Sequence, residues 1–413
     1  MIVDIHDPRR YHIPIPMVKF FQTLIIVFLL WSFYPLKSGF SEEYAVPHSG
    51  SPYLSLDALA KNEILHLPTG IKVSFDQMQD AISSSRVIYI GETHDNIEAH
   101  RVQLDIIKDL TLRFPGKVSV GMEMFRRSTQ PELDLWNHNE LSWRKFKKLF
   151  KKDWGHGYAL YQSIFELMQK HHIPLIGLKS STKIEDRFRK DRLSNENNFP
   201  EIDFNDLYHR PFSMSIFGDH QAMEKPYRML LLWEETMAQT VADFLKTPDN
   251  INSKLVVLAG GFHVQYGFGI PKRAFRRIPH AYSIILPTVT QLPPELEDRK
   301  MDVEHISIPL YSGDYAWKLE YKVLPESKVK LGVVLENGEH AVHIKSVSIN
   351  SNAERAGLEK GDLLLVMDEI ELKGVEDLIE RLRGKNIGDR AHFVVKRELE
   401  EMTIEIQFLE TKP

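Results

Sequence analysis

The sequence predicts an α/β fold, in which a largely parallel sheet carries helices on both faces and is followed by a small mostly-β domain. From about residue 51 to residue 286, short and nearly continuous apolar runs alternate with longer amphipathic ones. Such runs are typical of strands that are covered on both faces. After Pro325 the pattern changes to short alternating strands with one short helix. A chain of 413 residues is long enough for two or three such domains.

Apolar runs with β-branched residues predict the strands of the first region. These runs are residues 86–90, 117–120, 173–176, 254–259 and 282–286. Between them, residues 97–114 and 227–245 carry apolar side chains at helical spacing. Strands that alternate with helices build a parallel sheet with helices packed on it.

The N-terminus has the features of an export signal. Residues 20–36 are uncharged and largely apolar, lie between Lys19 and Lys37, and are followed by small residues. This pattern predicts that residues 1–41 are a secretory signal peptide or an N-terminal membrane anchor. We therefore expect a periplasmic protein, or one anchored in the membrane and facing the periplasm. The remaining chain divides into an α/β domain over residues 42–324 and a second domain over residues 325–413.

The amino-acid composition excludes several kinds of functional site. The chain has no cysteine, which excludes disulfides, thiolate metal sites, iron–sulfur clusters and a cysteine nucleophile. Its formal net charge is −5, so no general basic field favours nucleic acid, and we expect no nucleic-acid partner.

Ionisable side chains follow three of the predicted strands. Each of these strands runs into glycine, and then Glu92 and His94, Glu123, or His263 follows. Ligands of open α/β sheets bind outside the carboxyl ends of the strands, so neighbouring strands would bring these four residues to one crevice. Glutamates and imidazoles are oxygen and nitrogen ligands for first-row metals. The residues alone predict that something cationic binds there.

Four motifs, GETHDNIEAHRVQLDII, GMEMFRRSTQPELD, LLLWEETMAQTVADFL and LAGGFHVQYGFGIPKRAFRR, resemble the ChaN-like family of haem-binding uptake proteins. That family is related to the Tiki proteases and erythromycin esterases. The resemblance places Glu92 and His94 in the first motif, Glu123 in the second and His263 in the last. Glu234 stands where the family usually has aspartate, which lengthens the side chain at that position.

The resemblance implies a haem cofactor in iron or haem uptake, with a tyrosine as one ligand type. Tyr158, Tyr161 and Tyr266 are the candidates for such a ligand, and His100 is a candidate for supporting the site from the helix after His94. The other histidines lack metal-ligand spacing and are predicted to be surface or structural residues: His171, His172, His209 and His220.

Residues 143–154 form an amphipathic segment, with aromatic residues on one helical face and lysines around the rest. The segment could touch anionic lipid or haem propionates. We favour the alternative of a surface helix whose aromatic face is buried in the core.

From Leu331 onward the chain resembles a PDZ domain of the type found with bacterial proteases. The resemblance implies that a protein or peptide C-terminus binds by adding a strand, with its carboxylate held by backbone amides. The predicted peptide-binding residues are Lys330, Leu331, Gly332, Val333, Val334 and Leu335. A helix over residues 377–382 is expected to flank the groove.

Three functions remain open from the sequence. The favoured one is haem or iron binding, with the PDZ domain docking the protein to a partner. The second is a hydrolase or peptidase in which the same glutamates and histidines hold a divalent metal ion that activates water. The third is a scaffold that acts through the PDZ domain. No catalytic residue is assigned, and membrane association and a homodimer are both left open.

Overall fold

The computed structural model describes residues 56–155, 157–190, 199–217, 224–299, 308, 310–324, 329–337 and 341–410. The predicted signal segment lies outside these residues, as do His156 and His220. In the part of the chain that is described, no helix is both long and apolar enough to cross a membrane.

The first part of the chain folds into eight strands and nine α-helices among the described residues. They are β1 (Ile64–His66), β2 (Ile71–Val73), α1 (Phe75–Ile82), β3 (Val87–Glu92), α2 (Ile97–Arg113), β4 (Val118–Arg126), α3 (Gln130–Asn137), α4 (Trp143–Asp153), α5 (Tyr158–His171), β5 (Leu175–Lys179), α6 (Thr182–Arg189), α7 (His209–Phe217), α8 (Glu224–Lys246), β6 (Lys254–Gly260), α9 (Ile270–Arg277), β7 (Tyr282–Thr288) and β8 (Tyr315–Lys318).

The strands form one sheet in the order β2-β1-β8-β7-β3-β6-β4-β5. Every pair from β8 to β5 is parallel, whereas β1 is antiparallel to both of its neighbours. The five predicted strands are β3 to β7, and the predicted fold class is confirmed. The sequence analysis missed the short strands β1, β2 and β8.

Both faces of this sheet are covered, as the continuous apolar runs predict. On β3, Ile88 and Ile90 pack into the core beneath α2 and α5, while Val87 and Tyr89 pack into a second core beneath α8 and α9. Successive strand residues point to opposite faces, so a run that is apolar throughout serves both cores. The edge of the sheet, and not its faces, is therefore where ionisable side chains can meet.

The amphipathic helix α4 lies on the first core. Phe146 and Phe150 are fully buried there, against Phe125 and Phe165. The aromatic face thus packs inward and the lysines lie outside, as the favoured interpretation predicts.

The second sheet begins at residue 333 and is antiparallel throughout. Its elements are β9 (Val333–Asn337), β10 (Val342–Val347), α10 (Asn352–Arg355), β11 (Leu363–Met367), β12 (Ile370–Glu371), α11 (Val375–Arg383), β13 (Arg390–Arg397) and β14 (Glu400–Gln407). The strand order is β14-β13-β11-β10-β9, with β12 beside β11, so that β9 ends the row. The expected groove helix is α11. Residues 325–328 lie outside the described residues, so the boundary after residue 324 stays a prediction.

Candidate functional site: the carboxyl edge of the sheet and the groove beside β9

The three strands that end in ionisable residues are neighbours. The strand β6 pairs in parallel with β3 on one side and with β4 on the other, and Glu92 lies opposite Gly260. The carboxyl ends of all three strands therefore meet at one edge. The structure brings Glu92, His94, Glu123 and His263 together there, in two groups.

The first group lies on the α2 side of the edge. His94 Nδ1 donates a hydrogen bond to Glu92 Oε1 over 2.8 Å. The carboxylate is fully buried, whereas 44% of the His94 side chain is exposed. The bond to Glu92 fixes the orientation of the imidazole and leaves Nε2 for another partner.

Side chains of two neighbouring helices donate hydrogen bonds to the oxygens of the Glu92 carboxylate. Gln103 on α2 donates to Oε2 over 2.5 Å, and the Tyr161 hydroxyl on α5 donates to Oε1. His100 is buried beside this carboxylate, and its Nε2 lies 3.0 Å from the carbonyl oxygen of His94. Because several donors share the negative charge, the carboxylate can be ionised without water.

The second group lies on the α8 side and forms a chain of alternating acids and imidazoles. His263 Nε2 lies 3.4 Å from Glu123 Oε1, and its Nδ1 lies 3.1 Å from Glu234 Oε1. Glu234 in turn lies 2.8 Å from His209 Nε2. Glu123 also accepts a hydrogen bond from the backbone nitrogen of Gly260 over 2.9 Å. Glu234, which the sequence analysis could place only beside the site, is the centre of this chain.

A buried arginine completes the second group. Arg273 on α9 is 2% exposed, and its Nε lies 3.7 Å from Glu234 and 3.4 Å from Glu235. Arg277 Nη1 lies 2.6 Å from Glu235 Oε2. The arginines thus offset the acidic charge that the helix α8 brings into the interior.

Glycine at the end of β6 lets the two groups approach each other. A Cβ added to Gly260 would lie 3.0 Å from His94 Nε2 and 3.6 Å from the His263 ring. Any larger residue would push His94 away. The Nε2 nitrogen of His94 therefore lies close to the backbone of Gly260 at the centre of the edge.

These contacts shift the ionisation of the groups. Burial alone would disfavour the imidazolium of His263, but the adjacent carboxylates of Glu123 and Glu234 outweigh it and raise the pKa of His263 to about 10. Burial likewise opposes ionisation of Glu123 and Glu234, yet their imidazole partners hold both pKa values well below the usual range. For His94, burial is outweighed by the hydrogen bond to Glu92, which raises the pKa.

The same contacts disfavour a bare metal ion. Within the described residues, no group of three or more histidine, aspartate or glutamate side chains has the arrangement of a metal site. Each carboxylate at the edge already accepts hydrogen bonds or faces an imidazolium. Beside Glu123 and Glu234, positive charge is supplied by His263. Whether a cation binds at Glu92, His94, Glu123 and His263, as the sequence analysis predicts, stays a prediction.

The three candidate tyrosines lie in different surroundings. Tyr161 is buried, and its hydroxyl is bonded to Glu92, which together with burial raises its pKa. Tyr158 lies away from the edge, with Lys147 over its ring at 5.1 Å. Tyr266 follows His263 closely, is half-buried and packs on Phe212 and Phe268. Of the three tyrosines, Tyr266 lies on the same segment of the chain as His263, and its hydroxyl is not bonded to Glu92.

The sequence analysis missed three contributors to the edge. Gln103 follows Glu92 by eleven residues, and helical spacing from His100 was the signal that could have found it. Arg273 and His209 are contributed by helices whose packing brings them to Glu234. His209 was predicted to be a surface or structural residue; the structure buries it in the chain of ion pairs.

The PDZ groove lies between β9 and α11. Of the predicted peptide-binding residues, Lys330, Leu331, Gly332, Val333 and Leu335 line it, opposite α11. Val334 is 54% exposed and does not line the groove, because alternate residues of a strand face opposite sides. The α11 residues that line the groove are Val375, Ile379 and Leu382.

Gly332 shapes the start of this groove. Its φ of 81° lies in the left-handed region, and an added Cβ would lie 2.2 Å from the Cβ of Ser351. Its carbonyl accepts from the backbone nitrogen of Ser348 over 2.8 Å. Only glycine fits this turn, which places the loop before β9 where a terminal carboxylate would lie.

Comparisons with known proteins agree with this division. Residues 78–274 match the family model described as haem-binding uptake, Tiki superfamily, ChaN, and residues 329–408 match that of the PDZ domain. No curated protein matches the chain.

Solved structures resemble parts of the chain. A structure described as cofacial haem binding to ChaN of Campylobacter jejuni is 17% identical, with a TM-score of 0.47, and the match covers 62% of this chain and 98% of that one. A serine endoprotease from Yersinia pestis is 19% identical, with a TM-score of 0.19, over 21% of this chain and 30% of that one. The PDZ domain of HtrA3 bound to a phage-derived ligand is 17% identical, with a TM-score of 0.18, over 19% of this chain and 84% of that one.

The first family match includes the carboxyl edge, from β3 to α9. The PDZ match includes the groove beside β9. Residues 78–274 therefore belong to the ChaN-like haem-binding uptake family of the Tiki superfamily, and residues 329–408 are a PDZ domain.

Proposed function

We propose that the protein binds haem at the carboxyl edge of the sheet, with His94 as an iron ligand. The observation that carries this proposal is the state of the His94 ring. Glu92 holds Nδ1, Nε2 lies beside Gly260, and the side chain is nearly half exposed. An imidazole whose second nitrogen is held by a carboxylate is a well-oriented and basic metal ligand.

The surroundings of His94 fit a flat, apolar cofactor that carries two carboxylates. The Trp154 ring meets the His94 ring edge-on, with the centroids 5.0 Å apart. Lys179 lies over both Trp154 and Trp233, at 5.0 and 4.9 Å, and would pair with a haem propionate. Beyond His263, Phe262 and Tyr266 add half-buried aromatic surface.

Haem, when bound, supplies the iron that such a site carries or delivers. The chain supplies the ligand, the apolar surface and the cation. His94 must lose its proton to bind iron, because only the neutral imidazole has a free electron pair. The raised pKa of His94 therefore sets the pH below which binding weakens.

Titration with haemin, followed at the Soret band, tests the proposal. We expect saturable binding to the wild type and at least tenfold weaker binding to His94→Ala. His171→Ala is the matched control, because His171 is exposed on α5 and away from the edge. Equal affinity of His94→Ala and the wild type would contradict ligation by His94.

Tyr266→Phe decides between the two ligand types. If His94 is the ligand, this variant keeps the wild-type absorption spectrum. A loss of the charge-transfer absorption of a ferric phenolate in Tyr266→Phe, with His94→Ala unaffected, would assign the iron to the tyrosine.

The PDZ groove gives the haem site a means of attachment to a partner. We propose that it binds the C-terminus of a protein outside the cytoplasm, since residues 1–41 carry the pattern of an export signal. Fusion of a periplasm-dependent reporter to the C-terminus tests export. A reporter that is active, and that loses activity on deletion of residues 1–41, supports the proposal. A reporter that is inactive, or that stays active after the deletion, contradicts it.

A further inference from the structure

The segment after β8 returns to the loop that carries His94. The strand β8 runs parallel to β7, and β7 runs parallel to β3, so their carboxyl ends lie at the same edge of the sheet. The backbone nitrogen of Leu319 still donates to the carbonyl of Thr288 at the end of β7, over 2.8 Å. Beyond Leu319 the chain crosses the end of β7 and reaches the loop after β3. Residues 319–322 form this connection, the strap.

The backbone of the strap is bonded to the start of α2. The backbone nitrogen of Ile97 donates to the carbonyl of Lys322 over 2.7 Å. Asn96 Nδ2 donates to the carbonyl of Glu320 over 3.2 Å, and the backbone nitrogen of Lys322 donates to Asn96 Oδ1 over 3.0 Å. Asn96 is 1% exposed, so its amide depends on these bonds. Their loss would leave buried polar atoms without partners, which keeps the strap in place.

One side-chain bond joins the strap to the residue that follows His94. Tyr321 is 8% exposed, and its hydroxyl donates to Asp95 Oδ1 over 2.6 Å. A hydrogen bond to a charged acceptor is shorter and stronger than one between neutral groups. Because the Tyr321 ring is buried, this bond limits the positions that Asp95 can take.

The same contacts bear on the backbone of His94. Its carbonyl oxygen lies 3.0 Å from Nε2 of the buried His100. The peptide unit between His94 and Asp95 is planar, so a bond to its carbonyl and a bond to the Asp95 side chain together restrict it. The His94 side chain is 44% exposed, so its direction depends on this backbone and on the bond to Glu92 more than on packing.

We propose that Tyr321 is a positioning residue for the haem site, which holds the loop after β3 so that His94 keeps the orientation that iron requires. A metal ligand binds well when the contacts behind it fix its geometry. The proposal rests on the proposed ligation of iron by His94 and adds a residue that acts through it. The PDZ match begins at residue 329, shortly after the strap. The segment that leads to the PDZ domain is thereby part of the haem site.

Titration of the full chain with haemin, followed at the Soret band, tests the proposal. Tyr321→Phe removes the hydroxyl and keeps the buried ring. We expect roughly fivefold weaker binding with a shifted Soret maximum, because loss of one hydrogen bond loosens His94 without removing it. The number of haemin molecules bound per chain is expected to stay the same. Partial unfolding would instead lower that number and leave the spectrum of the bound haemin unaltered.

Substitutions of the acceptor and of a distant tyrosine are the controls. Asp95→Ala is expected to weaken binding as much as Tyr321→Phe does. Asp95→Asn keeps an acceptor oxygen and is expected to bind within about twofold of the wild type. Tyr282→Phe makes the same change at the far end of the sheet, since Tyr282 pairs with Val87 at the amino end of β3, and it is expected to bind as the wild type does.

Two further measurements show how Tyr321 acts. In a double-mutant cycle, Tyr321→Phe is expected to weaken haemin binding in the wild type and to have no further effect in His94→Ala. In the haem-free protein, Tyr321→Phe is expected to speed hydrogen exchange at the backbone amide of Ile97, which donates to the strap.

The outcomes separate this inference from the proposed iron ligand. If His94→Ala is impaired and Tyr321→Phe matches the wild type in affinity and spectrum, the inference alone is overturned. An equal loss from Tyr321→Phe in the wild type and in His94→Ala also overturns it, because Tyr321 then acts without His94. If His94→Ala binds haemin as tightly as the wild type, the ligand assignment and the inference are both overturned.

Discussion

The carboxyl edge of the first sheet and the groove of the PDZ domain both lie at the border of a sheet, yet they are built in opposite ways. At the carboxyl edge, charges are buried and matched with one another: His263 lies between Glu123 and Glu234, and Glu92 has three donors. Beside β9, the groove offers apolar side chains and the outer backbone edge of a strand that, among the described residues, pairs only with β10. The first site depends on side-chain identity, and the second on backbone shape.

This difference between the two sites predicts which single substitutions lower the stability of each site most. A buried charge that loses its partner is left in an apolar interior, so the cost at the carboxyl edge is electrostatic. In the groove the cost is steric, since the turn at Gly332 has no room for a Cβ.

The largest effect is expected for Glu234→Gln. The change keeps the size of the side chain but removes the charge shared by His263 and His209. Loss of one partner from a buried ion pair costs about 3–5 kcal/mol in the free energy of unfolding. Urea denaturation followed by tryptophan fluorescence measures it, because the PDZ domain contains no tryptophan.

Glu224→Gln is the matched control. Glu224 lies at the start of the same helix, in an exposed pair with Arg210, and its loss is expected to cost less than about 1 kcal/mol. Similar losses in the two variants would show that the buried chain of ion pairs contributes no more than a surface pair.

The next largest effect is expected in the PDZ domain, for Gly332→Ala. The new Cβ overlaps Ser351, and the positive φ adds strain, so the turn must move at a cost of about 2–4 kcal/mol. Hydrogen exchange of β9 and β10 and loss of binding to C-terminal peptides measure the result.

Gly388→Ala separates the two causes. Gly388 has a φ of 96°, but no atom lies within 4 Å of an added Cβ. We expect a loss of about 1–2 kcal/mol there, from strain alone. Equal losses at both glycines would mean that the contact with Ser351 contributes nothing.

A smaller effect is expected from pH. The pKa of His263 is raised to about 10, so its stabilising contribution is complete below the unfolded value of about 6.5 and is lost as the pH rises toward 10. The pKa values of Glu123 and Glu234 are lowered, so their contribution is complete above about pH 4.5 and is lost in acid.

The change in stability above pH 7 is a sharper test than the change in acid. Between pH 7 and pH 10, the melting temperature of the first domain is expected to fall, and the fall is expected to be shallower in Glu234→Gln, where His263 has lost one carboxylate. Parallel pH profiles for the two proteins would contradict an imidazolium at position 263.

The sequence predicted the strands and the edge because both follow from local pattern. A run that is apolar throughout predicts a strand covered on both sides, and glycine followed by a glutamate or histidine indicates that its carboxyl end is near. On β4 the strand continues past Gly121 and Glu123 to Arg126. Glu92, His94, Glu123 and His263 all lie within three residues of a strand end. Their convergence required only that β3, β6 and β4 be neighbours.

The partners of these residues could not be predicted in the same way. Glu234, His209 and Arg273 lie on three different helices, and only the packing of those helices brings them together. The short strands β1, β2 and β8 carry too few residues to show a period, and β8 pairs with residues that precede it by about 250 positions. The family resemblance implied haem. The hydrogen bond from His94 to Glu92 adds a specific hypothesis that can be tested, namely that His94 is the ligand of the iron.

The smallest effect is expected where the two domains touch. Lys147→Ala removes the pair with Asp377, whose partly buried charges are worth about 1 kcal/mol or less, because each keeps some contact with water. The melting temperature of either domain should therefore barely change. The attachment of the domains should loosen all the same, since α4 and α11 lose the ion pair between them, and we expect faster hydrogen exchange in α11. Lys152→Ala, a change at an exposed lysine of the same helix, should leave that exchange unaltered. Unchanged exchange of α11 in Lys147→Ala would mean that the groove and the haem-family domain are held together by contacts other than this pair.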